Sequence, residues 1–474
     1  VELIVTIVIP FLVAVVCAWI RFQPRFNLRP IPVAALMVLL TGSVLGHEFY
    51  HVSVGPIPVT LDRIMMGVML IAFAWLFLIG KEDLRRLNRL DMAILALMAV
   101  ISISTVTHNW RFLNNMPASR LLFFNLMPAV LYWVVRTSRL EVGDLKFISF
   151  VLGLFGLYLA LTAIAEVREF SQVVFPGYIM NSEISEFLGR GRGPFLNPVS
   201  NGIFQTICFC SILMWWPRTN STGKTAIILL AIVLAVGIYA TLTRSVWLGL
   251  IAACGWFVWM PASRPAKGGM LVAATMLAFI LLPVAKDKIF SFKRDKHVTQ
   301  TEMEQSAQMR PMFATIAWNM FQDRPVAGVG FGQYAKAKYP YLQDPHSGQP
   351  LDMTRGLMQH NVFLAYLTET GLIGLSLLVL MLMQMSVISW DVWRNPSLDL
   401  WARQFGLLAI VVLTTHMLNG LFHDVSIIPI QHMLMFFLLG LVSNIYTNPE
   451  AFQVLEVEAS VSTPLESSPL KVAA

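Results

Sequence analysis

The sequence predicts an all-α protein: a polytopic transmembrane helical bundle of about 12–13 spans, with one long external loop containing an amphipathic helix. Three observations predict it. Of 474 residues 56% are hydrophobic and only 13% charged, against about 25% charged in a soluble domain. The mean hydropathy is +0.66. The apolar runs are continuous, whereas strands of a membrane barrel would alternate apolar and polar residues. A soluble enzyme, a disordered chain and a disulfide scaffold are all excluded by this composition.

The runs fall, in order, at roughly 1–20, 31–46, 64–79, 92–106, 121–135, 146–165, 201–216, 225–242, 246–260, 271–285, 361–390, 404–420 and 427–446. The first lacks a basic leader and a small-residue cleavage site, so it is expected to be a retained helix. The second is the least secure span, because GHEFYHVSVGPIPVTLDR after it could be partly interfacial. Several runs are shorter than the ~20 residues that cross a bilayer and must extend into their flanks.

Lys and Arg set the expected orientation. One set of alternate loops (21–30, 80–91, 136–146, 217–224, 261–270, 391–403) holds 16 of them. The other short loops (47–63, 107–120, 166–200, 243–245, 421–426) hold 7. The first set is expected to be cytoplasmic, which puts the second outside. The chain then divides into ten spans over 1–285, a long external loop over 286–359, three spans over 360–446 and a cytoplasmic tail over 447–474. The tail is rich in Glu, Ser, Thr and Pro and is expected to be disordered. Within the long loop Pro311 fits the first turn of a helix running to about Gln322. Its stripe Met312, Phe313, Ile316, Ala317, Met320 and Phe321 suits a helix that caps the bundle or lies on the membrane surface.

The net charge of +7 is topological on this reading, with no pattern for nucleic acid. Cys17, Cys208, Cys210 and Cys254 all lie in apolar runs and read as small buried hydrophobes. No cofactor and no metal site is expected.

Polar residues at span ends need reasons. RGRGPFLNP at 190–198 places Arg190 and Arg192 among glycines and prolines before a span. TLTRSVWLG at 241–249 places Arg244 in a tight hairpin. Guanidinium groups suit phosphate oxygens, though both segments could equally anchor lipid head groups. PVAGVGFGQY at 325–334 lacks a preceding strand and a GK[ST] end, so it reads as a glycine-rich turn rather than a nucleotide loop. HNVFLAYLTETGLIG at 360–374 opens a span with His360 and Asn361 and carries Glu369, Gly371 and Gly374. His360 could be structural or a base; the two glycines could permit close helix approach. His416, Asn419 and His423 share one helix face and end beside Asp424, either as a polar helix contact or as support for an outer site.

With these residues in hand, the chain resembles the O-antigen ligase and polymerase superfamily of bacterial surface-polysaccharide enzymes. His360-Asn361, nine residues and Gly371-x-x-Gly374 fit its H-[NSQ]-x9-G-x-x-G pattern, and Arg244 to Leu248 its R-x3-L pattern. RGRGPFLNP and PVAGVGFG resemble two further segments of that family. The resemblance implies metal-independent glycosyl transfer at the periplasmic face of the bacterial inner membrane. The donor would be a glycan on undecaprenyl diphosphate. The acceptor would be a saccharide hydroxyl, on lipid A core or on a growing polysaccharide. Arg190, with Arg192 as its rival, and Arg244 would hold the diphosphate together with Asn361. His360 would serve the acceptor hydroxyl, and Glu369, His423 and Asp424 would support the site. The rival class is a transporter or lipid-linked oligosaccharide flippase, against which stands the lack of repeat halves.

Overall fold

The computed structural model describes residues 25–54, 57–83, 85–110, 117–184, 186–273, 275–276, 300–343 and 348–454, with backbone only for 54, 57 and 300–308. The expected span at 1–20 and most of that at 271–285 lie outside the described residues.

The remaining eleven expected spans are all helices. They are α1 (Pro30–Val44), α2 (Leu61–Leu78), α3 (Arg89–Thr107), α4 (Pro117–Thr137), α5 (Val142–Val167), α6 (Pro198–Leu213), α7 (Ser221–Ala240) and α8 (Arg244–Trp259). After helix α9 (Gln300–Asp323) come α10 (Val362–Arg394), α11 (Leu400–Gly420) and α12 (Pro429–Thr447). Among the described residues, nine helices are long and apolar enough to cross a membrane, and α1 and α8 are shorter apolar helices. The protein is a polytopic helical bundle.

The sequence marks most starts. Asn88 and Asp91 form a reciprocal cap on α3, and Glu141 with Asp144 does so on α5. Asn197, Asn220, Asn361 and Asp399 accept backbone N–H groups at the starts of α6, α7, α10 and α11. The interior is built from α6, α11 and α12, which are mostly buried. By contrast α2 and α7 expose Ile71, Trp75, Leu78, Leu229 and Ile232, the all-round apolar surface of lipid-facing helices.

Contacts between loops sort the helix ends into two groups. At one end Arg85 donates to Asn444, and Arg218 to Gln404. Just inside it Arg136 pairs with Asp91 at 2.6 Å, and the Tyr132 hydroxyl donates to Asp91 at 2.7 Å. Both charges are fully buried, so the pair locks α3 to α4. The opposite end carries the larger loops. There a short antiparallel hairpin, β1 (His51–Val54) and β2 (Ile57–Thr60), occupies the segment expected to be interfacial.

Two sequence expectations need correction. The helix around Pro311 does not start there. It runs from Gln300, with Pro311 inside it, and the buried stripe that follows the proline offsets the hydrogen bond it removes. Met312, Phe313, Ile316, Ala317 and Met320 are buried, against turns at Tyr339–Gln343 and Leu351–Thr354 and against α10, so this helix caps the bundle. The expected disorder from residue 447 also begins too early. Pro449–Phe452 form a turn whose Phe452 is buried and whose carbonyl accepts from Asp399 N–H at 2.7 Å. Residues 455–474 lie outside the described residues.

Candidate active site

The glycine-rich turn and α10 form one joint. Gly328, Gly330 and Gly332 have φ of +69°, +107° and +73°, conformations that side chains rarely adopt. This lets 325–330 run beside the break in α10. Val329 and Gly330 N–H donate to the Thr368 and Glu369 carbonyls, and Leu372 N–H donates back to Pro325. The break is at Gly371, where φ is +63° and a Cβ would sit 2.3 Å from the Val326 carbonyl oxygen. Gly371 thus serves a backbone interruption, not the helix–helix approach its spacing suggested. The backbone groups freed at the break are satisfied by the turn.

Glu369 lies at that joint, not exposed within a helix. Its carboxylate is buried and accepts from Gly332 N–H at 2.9 Å, with Arg120 Nη1 3.3 Å from the other oxygen. Arg120 immediately precedes a π-helical turn, Leu121–Leu126, a feature common at functional sites. Arg120, Phe331, Tyr366, Glu369 and Ser426 line a small recess beneath the loops. Asp424 closes the same region. It is buried and accepts from Ser426 N–H and Oγ. Burial pushes its pKa up to about 6, opposed by the Arg120 charge. His423 is half-buried in the turn beside it. His416 faces away, into the bundle, with its ring 5.7 Å from that of His432.

His360 stands at the mouth of α10. It is exposed, with its backbone in the left-handed region at φ +51° and its ring 5.3 Å from Phe313 of α9. The protein around the ring, then the charges of Arg310 and Lys338, push its pKa below the ordinary histidine value. The neutral imidazole is therefore favoured. Asn361 is occupied otherwise. Its oxygen caps Leu364 N–H at 3.0 Å and its amide donates to the Leu421 carbonyl at 3.0 Å. It fixes the direction of α10 just after His360.

Arg310 was missed by the sequence reading. It sits on α9 one turn before Phe313, near enough to act on the His360 charge, with its guanidinium 4.9 Å from the Phe422 ring. A basic residue at the edge of the apolar stripe was the available signal. Also unremarked was His47-Glu48-Phe49-Tyr50-His51, which has the spacing of a zinc-protease motif. That motif needs both histidines on one helix face. Here His47 lies in a turn and His51 in β1, with the rings stacked at 3.9 Å. Among the described residues no group of three metal-capable side chains converges.

The two arginines of RGRGPFLNP separate clearly. Arg192 is fully buried. It pairs with Glu166 at 3.2 Å and donates to the carbonyls of Ile179, Asn181, Ile184 and Glu186. It fastens the 179–186 loop to α5. Arg190 is half-buried and reaches across to the 241–243 turn, donating to the Thr241 and Leu242 carbonyls and, at 2.6 Å, to Thr243 Oγ1. Arg244 follows at once as the first residue of α8 and is also half-buried. Arg190 and Arg244 therefore flank one turn. α8 packs on α11 near Gly249 and Asn419, and the end of α11 holds Asn361. The arginine pair and His360 thus share the loop-rich end of the bundle.

A many-span helical bundle whose loop-rich end gathers arginines and a neutral-leaning histidine defines the class: a polytopic membrane protein. Residues 228–379 match the family model described as O-antigen ligase, which bears out the resemblance to the O-antigen ligase and polymerase superfamily. The matched stretch contains Arg244, Arg310, His360, Glu369 and Gly371. A search of curated proteins gave no match. The family match supports a role in glycosyl transfer during polysaccharide assembly.

Proposed function

We propose that the protein transfers a glycan from undecaprenyl diphosphate to a saccharide hydroxyl at the periplasmic face of the bacterial inner membrane, as an O-antigen ligase or polysaccharide polymerase. The observation that carries the reading is the placement of exposed His360 beside Arg310 on the end that also holds Arg190 and Arg244. The lower count of Lys and Arg in the short loops of that end supports its outward orientation, with 286–359 in the periplasm.

In this mechanism an imidazole nitrogen of His360 takes the proton of the acceptor hydroxyl as its oxygen bonds to the anomeric carbon. The bond from that carbon to the phosphate oxygen breaks, and undecaprenyl diphosphate departs with the electron pair. Negative charge grows on the diphosphate. Arg190 and Arg244, flanking one turn, stabilise it with preorganised donors. Arg310 supplies further positive charge on the His360 side. Glu369 and Asp424 orient Arg120 and the glycine turn rather than touch the glycan. With arginines in this role, transfer is expected to survive EDTA.

The test is deletion of the gene, with analysis of lipid-linked glycan by leaflet. The expected result is undecaprenyl-linked glycan stranded on the outer leaflet, restored by the wild-type gene and not by His360→Ala. Single repeat units would indicate a polymerase, long unattached chains a ligase. Accumulation on the inner leaflet alone would instead indicate a flippase and overturn the reading.

A further inference from the structure

Lysine is almost never fully buried unless paired, yet Lys338 is 1% exposed. It lies just after the turn Tyr334–Ala337, while Lys336, two residues earlier, is exposed. Among the described residues no carboxylate pairs with Lys338. Its ammonium instead donates to two backbone carbonyls, Thr354 at 2.8 Å and Leu357, and lies 5.4 Å from the Tyr334 ring centroid. Burying a cation against carbonyls alone is costly. The cost is accepted at a particular place, for Leu357 stands three residues before His360.

The segment between them is fastened in order. Lys338 holds Thr354 and Leu357. Gln359, buried, donates to Thr368 Oγ1 at 3.2 Å. His360 follows in its left-handed conformation, and Asn361 then ties the chain to Leu421. A non-glycine residue at positive φ persists only where its surroundings hold it. Gln359 and Asn361 hold it from the α10 side, and Lys338 is the tie from the cap.

We propose that Lys338 is a positioning residue for His360: by holding the Thr354 and Leu357 carbonyls it fixes the segment that ends in the imidazole and sets a positive charge beside it. Its catalytic consequence rests on the reading of His360 as the base. The charged groups acting on His360 are Arg310 from α9 and Lys338 from the cap. Lys338 itself faces the two carbonyls and the Tyr334 ring, and burial lowers its pKa to about 8.

The experiment uses full-length protein in membrane vesicles from a deletion strain, which carry the cell's own donor and acceptor. Two readouts are taken across pH: carbethoxylation of His360 by diethyl pyrocarbonate, followed by mass spectrometry, and glycan transfer. Lys338→Gln should raise the midpoint of His360 modification and cut kcat roughly tenfold or more, with KM little changed, as expected for a displaced base. Lys338→Arg should keep both near wild type and abolish the alkaline loss expected of wild type above about pH 8. Should Lys338→Gln not accumulate, the comparison of wild type with Lys338→Arg on the alkaline side decides alone. A folded Lys338→Gln protein with wild-type midpoint and kcat would overturn the proposal. So would an alkaline loss unchanged by arginine. If the midpoint moves but His360→Ala stays active, the positioning stands and the base assignment falls.

Discussion

Arg120 and Glu369 form a buried ion pair across 249 residues of sequence, with Nη1 3.3 Å from Oε1. The same carboxylate accepts Gly332 N–H. One side chain therefore joins α4, the glycine turn and the half of α10 that begins just after His360. Removing it leaves a guanidinium buried without its partner.

Glu369→Ala should accordingly destabilise the protein by about 3–5 kcal/mol. Thermal unfolding in detergent would show it as a lowered midpoint. Replacing both partners, Arg120→Met with Glu369→Leu, should recover much of the loss, because no uncompensated charge then remains. A double variant as unstable as Glu369→Ala would mean that the Gly332 contact, not the ion pair, carries the joint.

The span pattern was legible because continuous apolar runs and Asn, Asp or Pro at helix starts are local signals. Asn361 is the clearest case, since its cap and the start of α10 coincide. What was not legible depends on distant partners. Nothing in GRG distinguishes Arg190 from Arg192. The distinction comes from Glu166 and four loop carbonyls on one side and the 241–243 turn on the other. The break at Gly371 was hidden for a similar reason. An unbroken hydropathy run gives no sign that residues 325–330 will replace its backbone hydrogen bonds. Arg310 stayed hidden because its neighbour His360 is fifty residues away in sequence.

The two arginines should therefore fail differently. Arg192→Lys cannot reproduce contacts to Glu166 and four carbonyls, so it should lower the yield and thermal midpoint of folded protein. Arg190→Lys should leave the midpoint within a degree or two of wild type, an order-of-magnitude expectation for a partly exposed site. Its transfer activity should nonetheless fall steeply, because an ammonium cannot bridge the 241–243 turn and the diphosphate as a planar fork does. Midpoint measurements beside transfer assays on both variants check this. Full activity of Arg190→Lys would reduce Arg190 to an anchor for the turn.

The pH dependence follows from His360. A base must be neutral, so transfer should be lost as pH falls through the His360 pKa. Surrounding protein and the charges of Arg310 and Lys338 place that pKa below the usual value near 6.5. The acid limb of kcat/KM should therefore lie below pH 6.5, with activity held into mildly acidic conditions where an ordinary histidine would already be half protonated. Arg310→Gln removes one of the two charges. It should move the limb upward, in addition to any fall in the plateau from losing its attraction for the diphosphate. The measurement is kcat/KM from pH 5 to 8 in vesicles, with both proteins at equal amounts. A limb at or above pH 6.5 in the wild type, unmoved by Arg310→Gln, would show that the titrating group is not His360, and the base would have to be sought elsewhere at the loop-rich end.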